Sequence, residues 1–259
     1  INPIDNVCVD LQSGHKIACQ DINEGEDVIK YGNPIGHATE DIKKGEHVHT
    51  HNVKTNLSGN LEYTYEPSDI EAEKVETDRT FLGYVRENGD VAIRNEIWIV
   101  NTVGCVNKVA KKLSELTGAI HFEHPFGCSQ LGGDHKTTQL ILKGLVNHPN
   151  AAGVLVLGLG CENNNIEEFK KVLGEYSDKR VKFLNCQDFE DEIAEGVKLI
   201  GELKEYADTF CRQPVHISKL RLGLKCGGSD GFSGITANPL VGRFCDELRA
   251  IGGSCVLTE

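Results

Sequence analysis

Methionine is absent from all 259 residues, and tryptophan occurs once. With a start at Ile1, the sequence is expected to lack its beginning. Basic charge is scarce: 27 Lys and Arg face 39 Asp and Glu, a net charge of −12 at pH 7. That argues against nucleic-acid binding, which requires a basic face. An acidic chain that binds an acidic metabolite must instead concentrate positive charge, or a metal, locally. Long apolar runs are lacking too; the longest, AAGVLVLGLGC, is too short to span a bilayer, and no membrane role is expected. The opening residues show no charged segment followed by an apolar core, so no secretory leader is expected in them. No close CxxC pair occurs, which argues against a zinc ribbon.

What is present is the composition of a soluble globular protein, 39% hydrophobic and 25% charged, long enough for one large or two ordinary domains. Ten cysteines without a leader suggest a reducing, cytoplasmic compartment and thiols kept for metal or catalysis. The alternative, a small buried hydrophobe, is the better account of Cys8, Cys19, Cys211, Cys245 and Cys255.

Residues 1–72 read as a small β domain. Short alternating runs (NVCVDL, HKIACQDI, DVIKYG, HVHTHNV) are broken by turn signals at Ser13-Gly14, Glu24-Gly25, Gly32-Asn33-Pro34 and Lys44-Gly45. DINEGEDVIKYGNPIGHA and DIKKGEHVHTHNVKT form an internal repeat of one β-turn unit. An acidic stretch ending at residues 73–80 reads as a linker.

Residues 81–212 open with a hairpin signal, GYVRENGDVAIRN, in which Asn88-Gly89 suits a type I′ turn. Apolar runs then end repeatedly in cysteine: EIWIVNTVGC at Cys105, AIHFEHPFGC at Cys128, GVLVLGLGC at Cys161, VKFLNC at Cys186 and, further on, LRLGLKC at Cys226. Helical segments such as VNKVAKKLSEL, TTQLILKGLV, NIEEFKKVL and DEIAEGVKLIGELKEYA separate them. This alternation predicts βαβ units and a mainly parallel, Rossmann-like α/β domain. All five thiols would then meet at the carboxyl edge of one sheet, where open α/β sheets bind ligands. Pro214 is expected to break the last helix, and residues 213–259 to form a glycine-rich loop region with a strand before it and a helix and a last strand after it, closing this domain or starting a C-terminal one.

Three clusters carry candidate chemistry. On a strand, His47, His49 and His51 would project from one face, as metal ligands or as a solvated histidine face. His124 lies just past a strand end near Cys128, a candidate acid, base or ligand, while Asp134 and His135 are candidate caps of a helix starting near Lys136. In KCGGSDGFSGITANP, the backbone around Cys226, Gly227, Gly228, Ser229 and Asp230 can form a nest for carboxylate or phosphate oxygens. His15 and Lys16 follow a turn and read on composition as a surface loop.

Taken together, HVHTHN, GYVRENGDVAIRNEIWIVNTVGCVN, HPFGCSQLGGDH, HPNAAGVLVLGLGCENN and LKCGGSDGFSGITANPLVGR resemble the altronate dehydratase family, whose relatives include galactarate and sulfolactate dehydratases. The resemblance implies an SAF-type β-clip domain at the N-terminus and an iron-dependent hydro-lyase converting D-altronate to 2-keto-3-deoxy-D-gluconate in hexuronate catabolism. Members are about twice this length, so the chain is expected to be an N-terminal half. The mechanism so implied gives His49 and His51 to Fe(II), with Mn(II) as a substitute, uses His15, Lys16 and His124 as acid/base groups, and lets the Cys226–Asp230 loop grip the substrate. A rival makes Cys105, Cys128 and Cys161 the ligands of a 4Fe–4S cluster. The partners implied are a small-molecule sugar acid and either further copies of the chain, as a homo-oligomer, or the missing C-terminal half. The alternatives are a galactarate or sulfolactate dehydratase, a non-catalytic sugar-acid-binding subunit or fragment, and a metal-storing thiol protein.

Overall fold

The computed structural model describes residues 2–56, 74–225 and 232–258. The chain divides into two units, Ile1–Thr77 with Leu220–Glu259, and Asp78–Lys219.

In the first unit, β1 (Val7–Val9) pairs antiparallel with β2 (Lys16–Ala18), and β3 (Asp27–Lys30), β4 (Asn33–Ala38) and β5 (Val53–Lys54) form a second antiparallel sheet in that order. The internal repeat builds its centre. Ile22 and Ile42 exchange both backbone hydrogen bonds, at 2.9 and 2.8 Å. Each is followed by a glycine turn, Gly25 or Gly45, with φ near +85° that other residues rarely adopt. Glu26 accepts from the backbone N–H of Asn23 in one turn, and Glu46 accepts from that of Lys43 in the other. Asp41 caps the first turn at Glu24 N–H while Asp21 caps the second at Lys44 N–H, so the two halves brace each other reciprocally. Val7, Ala18, Ile22, Val28, Ala38, Ile42 and Val48 fill the core between them.

The second unit begins with β6 (Thr80–Val85) and β7 (Val91–Ala92), an antiparallel pair. Gly89 has φ +82° but Asn88 lies at negative φ, so the connection is a longer loop rather than the expected type I′ turn. Arg86 replaces the turn as organiser: Nε donates to Pro149 O, Nη1 to Asn95 Oδ1 and Nη2 to Arg94 O, and the guanidinium stacks on Phe210. Burial pushes its pKa down to about 10.

There follow β8 (Glu96–Asn101), α1 (Asn107–Thr117), β9 (Ile120–Phe122), α2 (Gly132–Val146), β10 (Ala151–Gly158), α3 (Ile166–Leu173), β11 (Val181–Asn185) and α4 (Glu192–Ala207). The strands form a parallel sheet in the order β11-β10-β8-β9, with the topological switch between β8 and β10. Strand alternation sorts the core onto two faces. Ile97, Ile99, Leu155 and Leu157 pack with Leu113, Ile200 and Leu203, whereas Trp98, Val100, Val154 and Val156 pack with Leu142, Val146 and Phe169. Each fully buried Leu or Phe here contributes about 2–3 kcal/mol. The α/β reading holds, with local corrections. α2 starts at Gly132, so Asp134 sits within its first turn rather than capping a later start. α4 has already ended when Pro214 is reached; Pro214 lies in β12 (Arg212–His216), the edge strand beside β6, where a missing N–H is tolerated.

The chain then returns to the first unit through β13 (Arg221–Lys225), α5 (Ala237–Ala250) and β14 (Ser254–Thr258), with β13 and β14 parallel. LRLGLKC therefore belongs to a different sheet from the other four cysteine-ended strands.

Candidate functional site

A cavity of about 560 Å³ in the first unit is lined by Ser13, Gly14, His15, Lys16, Lys30, Tyr31, His49, Phe232, Gly234 and Asn238. Asp10 builds the turn that delivers His15, accepting from Gln12 N–H, Ser13 N–H and the Ser13 hydroxyl. Lys16 opens β2 and Lys30 closes β3. Phe232 and Gly234 precede α5, and Asn238 stands in its first turn. Both lysines have pKa values below the ordinary lysine range. For Lys16 the cause is burial and then the charge of Lys30; for Lys30 it is burial, partly opposed by Asp5 and Cys8.

His49 reaches the cavity by a route other than strand alternation. Only Val53–Lys54 of this stretch is strand; residues 49–52 form a turn. Buried Asn52 organises it, its Nδ2 donating to His47 O at 2.9 Å and its Oδ1 accepting from His49 N–H at 3.0 Å. The turn still gathers imidazoles. His47 has ring centroids 5.0 Å from His15, 5.7 Å from His49 and 5.6 Å from His51. The His47 pKa is lowered, first by desolvation and then by His15, His51 and His49. His49 Nδ1 lies 3.0 Å from the Thr50 hydroxyl, leaving Nε2 without a hydrogen-bond partner among the described residues. A smaller cavity of about 270 Å³ shares Lys16 and His49.

The other candidates lie elsewhere. In the second unit, His124 has both ring nitrogens engaged: Nε2 donates to Asn101 O at 2.8 Å and Nδ1 accepts from Phe126 N–H at 3.2 Å. Its ring ties the ends of β8 and β9 together, and it also lines a mainly apolar groove of about 450 Å³ with Phe126, Ile141 and Leu142. Cys105, Cys128 and Cys161 follow β8, β9 and β10 and are exposed, while Cys186 after β11 is buried, which raises its pKa to about 11. None of the five cysteines assigned to core packing is fully buried; Cys211 is exposed and the others are half-buried. Cys226, Gly227, Gly228, Ser229 and Asp230 fall outside the described residues.

Glu162 occupies the β8/β10 switch point. Its carboxylate accepts from the Thr102 hydroxyl at 2.7 Å, Leu159 N–H at 3.0 Å and Gly160 N–H at 2.6 Å. Burial opposes ionisation, but these bonds and its own N–H outweigh it, and the pKa falls below the ordinary glutamate value.

Three family models match in chain order. The altronate/galactarate dehydratase SAF domain covers residues 5–56, the second domain of D-galactarate dehydratase/altronate hydrolase covers 83–208, and the C-terminal D-galactarate/altronate dehydratase model covers 217–259. The chain belongs to the altronate/galactarate dehydratase family. It is 53% identical over 261 residues to an altronate dehydratase of Bacillus subtilis (strain 168), a match covering 96% of this chain and 52% of that protein. An altronate dehydratase of Escherichia coli (strain K12) is 47% identical over the same share of this chain and 53% of its own length. The β subunit of (2R)-sulfolactate sulfo-lyase from Chromohalobacter salexigens is 32% identical over 186 residues, 70% of this chain and 46% of that subunit. The chain thus spans about half the length of the curated altronate dehydratases it matches.

The iron that the family resemblance implies can be tested against these donors. Among the described residues no group of three or more His, Cys, Asp and Glu is arranged to hold a metal ion. Cys105, Cys128 and Cys161 share a sheet edge without forming such a group. The histidines around His47 do not form such a group either, although imidazole as a donor type suits Fe(II) better than Mn(II), which prefers oxygen. Two imidazoles suffice where substrate oxygens fill the remaining positions.

Proposed function

We propose that this chain carries acid/base and substrate-binding machinery of a sugar-acid hydro-lyase, with D-altronate as substrate and 2-keto-3-deoxy-D-gluconate as product. One observation carries the reading: the adjacent His15 and Lys16 line one cavity with His49, more than thirty residues away, and a second lysine, in a chain of net charge −12. Identities of 53% and 47% to proteins named altronate dehydratase support the choice of substrate. The cavity, about 560 Å³, is of the size that small-molecule sites have.

His49 and His51 would hold Fe(II), which supplies Lewis acidity toward the carboxylate and hydroxyl oxygens of the substrate. Lys16, whose neutral amine is favoured by burial, takes the proton from C2 on that amine, and the electron pair moves into the carboxylate as an enediolate. His15 delivers a proton to the C3 hydroxyl, which leaves as water as the C2–C3 double bond forms. The resulting enol tautomerises to the 2-keto-3-deoxy acid. Asn52 holds His49 in place through the two bonds to the His47–His49 backbone.

The test is anaerobic incubation of the folded chain with Fe(II) and D-altronate, following the 2-keto-3-deoxy acid and, in parallel, D-altronate binding by calorimetry. Product that disappears in Lys16→Ala and in His49→Ala/His51→Ala supports the full reading. Binding without turnover supports the substrate class and places part of the chemistry in segments that the longer relatives have. A folded chain that neither binds nor converts D-altronate refutes the proposal.

A further inference from the structure

Lys30 is 8% exposed at the end of β3 and lines the same cavity as His15, Lys16 and His49. No carboxylate lies within ion-pair distance of its Nζ among the described residues. Asp5, the acidic group that acts on it, has its own oxygens engaged by the N–H groups of Gly32 and Asn2. The ammonium instead rests over the ring of Tyr31, 4.9 Å from the centroid. Burying a lysine without a counter-ion is costly, and proteins that do so either neutralise the group or present it to an anion.

Tyr31 fixes where that ammonium sits. Among the described residues it is one of two non-glycine residues with positive φ, at +57°, because Tyr31 and Gly32 (φ +78°) form the two-residue β3–β4 hairpin turn, whose central positions both require φ > 0. The turn directs the ring toward Gly234, where a Cβ would collide with the Tyr31 hydroxyl. On the other side of the cavity a Cβ on Gly14 would lie 2.9 Å from the Phe232 ring. The cavity therefore has a built wall on which a buried, unpaired ammonium is held by a constrained aromatic ring. Lys16, opening β2 next to His15, is more exposed and stands with the groups assigned to proton transfer.

We infer that Lys30 is the anchor for the carboxylate end of the sugar acid, held in place by Tyr31, and that it sets the preference of the cavity for acids over neutral polyols. The inference rests on the sugar-acid reading above and adds to it a division of labour between the two lysines. A carboxylate on Lys30 supplies the missing counter-ion and leaves Lys16 free to work as a base at the adjacent C2.

The experiment compares calorimetric binding of D-altronate and of its uncharged counterpart D-altritol to the whole chain and to Lys30→Met, Lys30→Arg, Tyr31→Phe and Tyr31→Ala. Charge-assisted hydrogen bonds predict that Lys30→Met weakens D-altronate binding by roughly 10- to 100-fold. D-altritol binding is expected to stay within about threefold, and Lys30→Arg to recover most of the loss. Tyr31→Phe is expected to keep the preference for the acid, and Tyr31→Ala to lose it while binding D-altritol as before. A wild-type chain that binds D-altronate well, with a Lys30→Met variant that binds it equally, overturns the inference and leaves the sugar-acid reading standing. A wild-type chain that binds neither compound overturns both.

Discussion

Replacing Asn52 with alanine isolates the device that converts a histidine-rich segment into a site. Asn52 is 4% exposed, and its side chain makes two bonds to the backbone it faces, to His47 O and from His49 N–H. Alanine leaves that carbonyl and that N–H partly buried without partners. At roughly 1 kcal/mol for each lost bond, plus part of the desolvation cost, the local penalty is about 2–3 kcal/mol. The turn retains the backbone bonds from Asn52 N–H and Val53 N–H to His49 O, so it loosens rather than disappears. Hydrogen exchange of the His49 amide reads this directly, and exchange should accelerate roughly 30- to 150-fold at fixed pH. Ring signals of His47, His49 and His51 should shift together in nitrogen-resolved NMR, because the three rings pack as one group. Asn52→Asp keeps the acceptor for His49 N–H but turns an oxygen toward His47 O, so it should fall between wild type and alanine. Unchanged His49 exchange in Asn52→Ala, in a folded protein, would refute the claim that this side chain holds the turn.

Glu162→Gln should destabilise the second unit by about 2 kcal/mol at pH 7, since three donors lose an ionised acceptor. The folded pKa lies below the unfolded value, so this stabilisation is complete above about pH 4.5 and fades as pH falls through the folded value. Urea midpoints of the two proteins should therefore converge in acid, and a gap that stays constant down to pH 2 would count against the reasoning. His47 should titrate below the ordinary histidine value of 6.5, favouring the neutral ring in the folded state. Stability from this residue is present above pH 6.5 and is lost on acidification; an NMR titration midpoint at or above 6.5 would contradict it. Anaerobically loaded protein should bind iron without acid-labile sulfide, and stoichiometric sulfide would sink the imidazole assignment in favour of thiolates.

The parallel sheet was legible because apolar runs and helical segments alternate without interruption from Glu96 to Ala207, and the runs at β8 and β10 are long enough to bury both faces. The histidine segment was misjudged because alternation was read through Asn52, whose side chain competes with strand pairing by bonding to the backbone of His47 and His49. Lys30 and Tyr31 went unnoticed, yet a signal was there. Val28 and Lys30 share one face of a strand by period two, and Val28 is fully buried, so a lysine at that register is aimed inward. Phe232, Gly234 and Asn238 fall within KCGGSDGFSGITANP, which was singled out for a ligand, but nothing local announces that the chain comes back to its first unit after residue 219.

The cysteine-ended strands illustrate how far the rule about sheet edges carries. Cys105, Cys128, Cys161 and Cys186 do follow successive parallel strands, as the pattern predicts. The carboxyl edge at a switch point attracts ligands because strand ends and loops leave N–H groups unpaired there. Between β8 and β10 those donors are taken: Glu162 returns from its own loop to accept from Leu159, Gly160 and the Thr102 hydroxyl. An anion arriving at this point would have to displace an internal carboxylate held by three hydrogen bonds. In the first unit, by contrast, Lys30 is buried with no carboxylate within ion-pair distance among the described residues. The location of unsatisfied charge, rather than the location of the strand ends, is what favours the cavity of the β-rich unit for the proposed sugar acid.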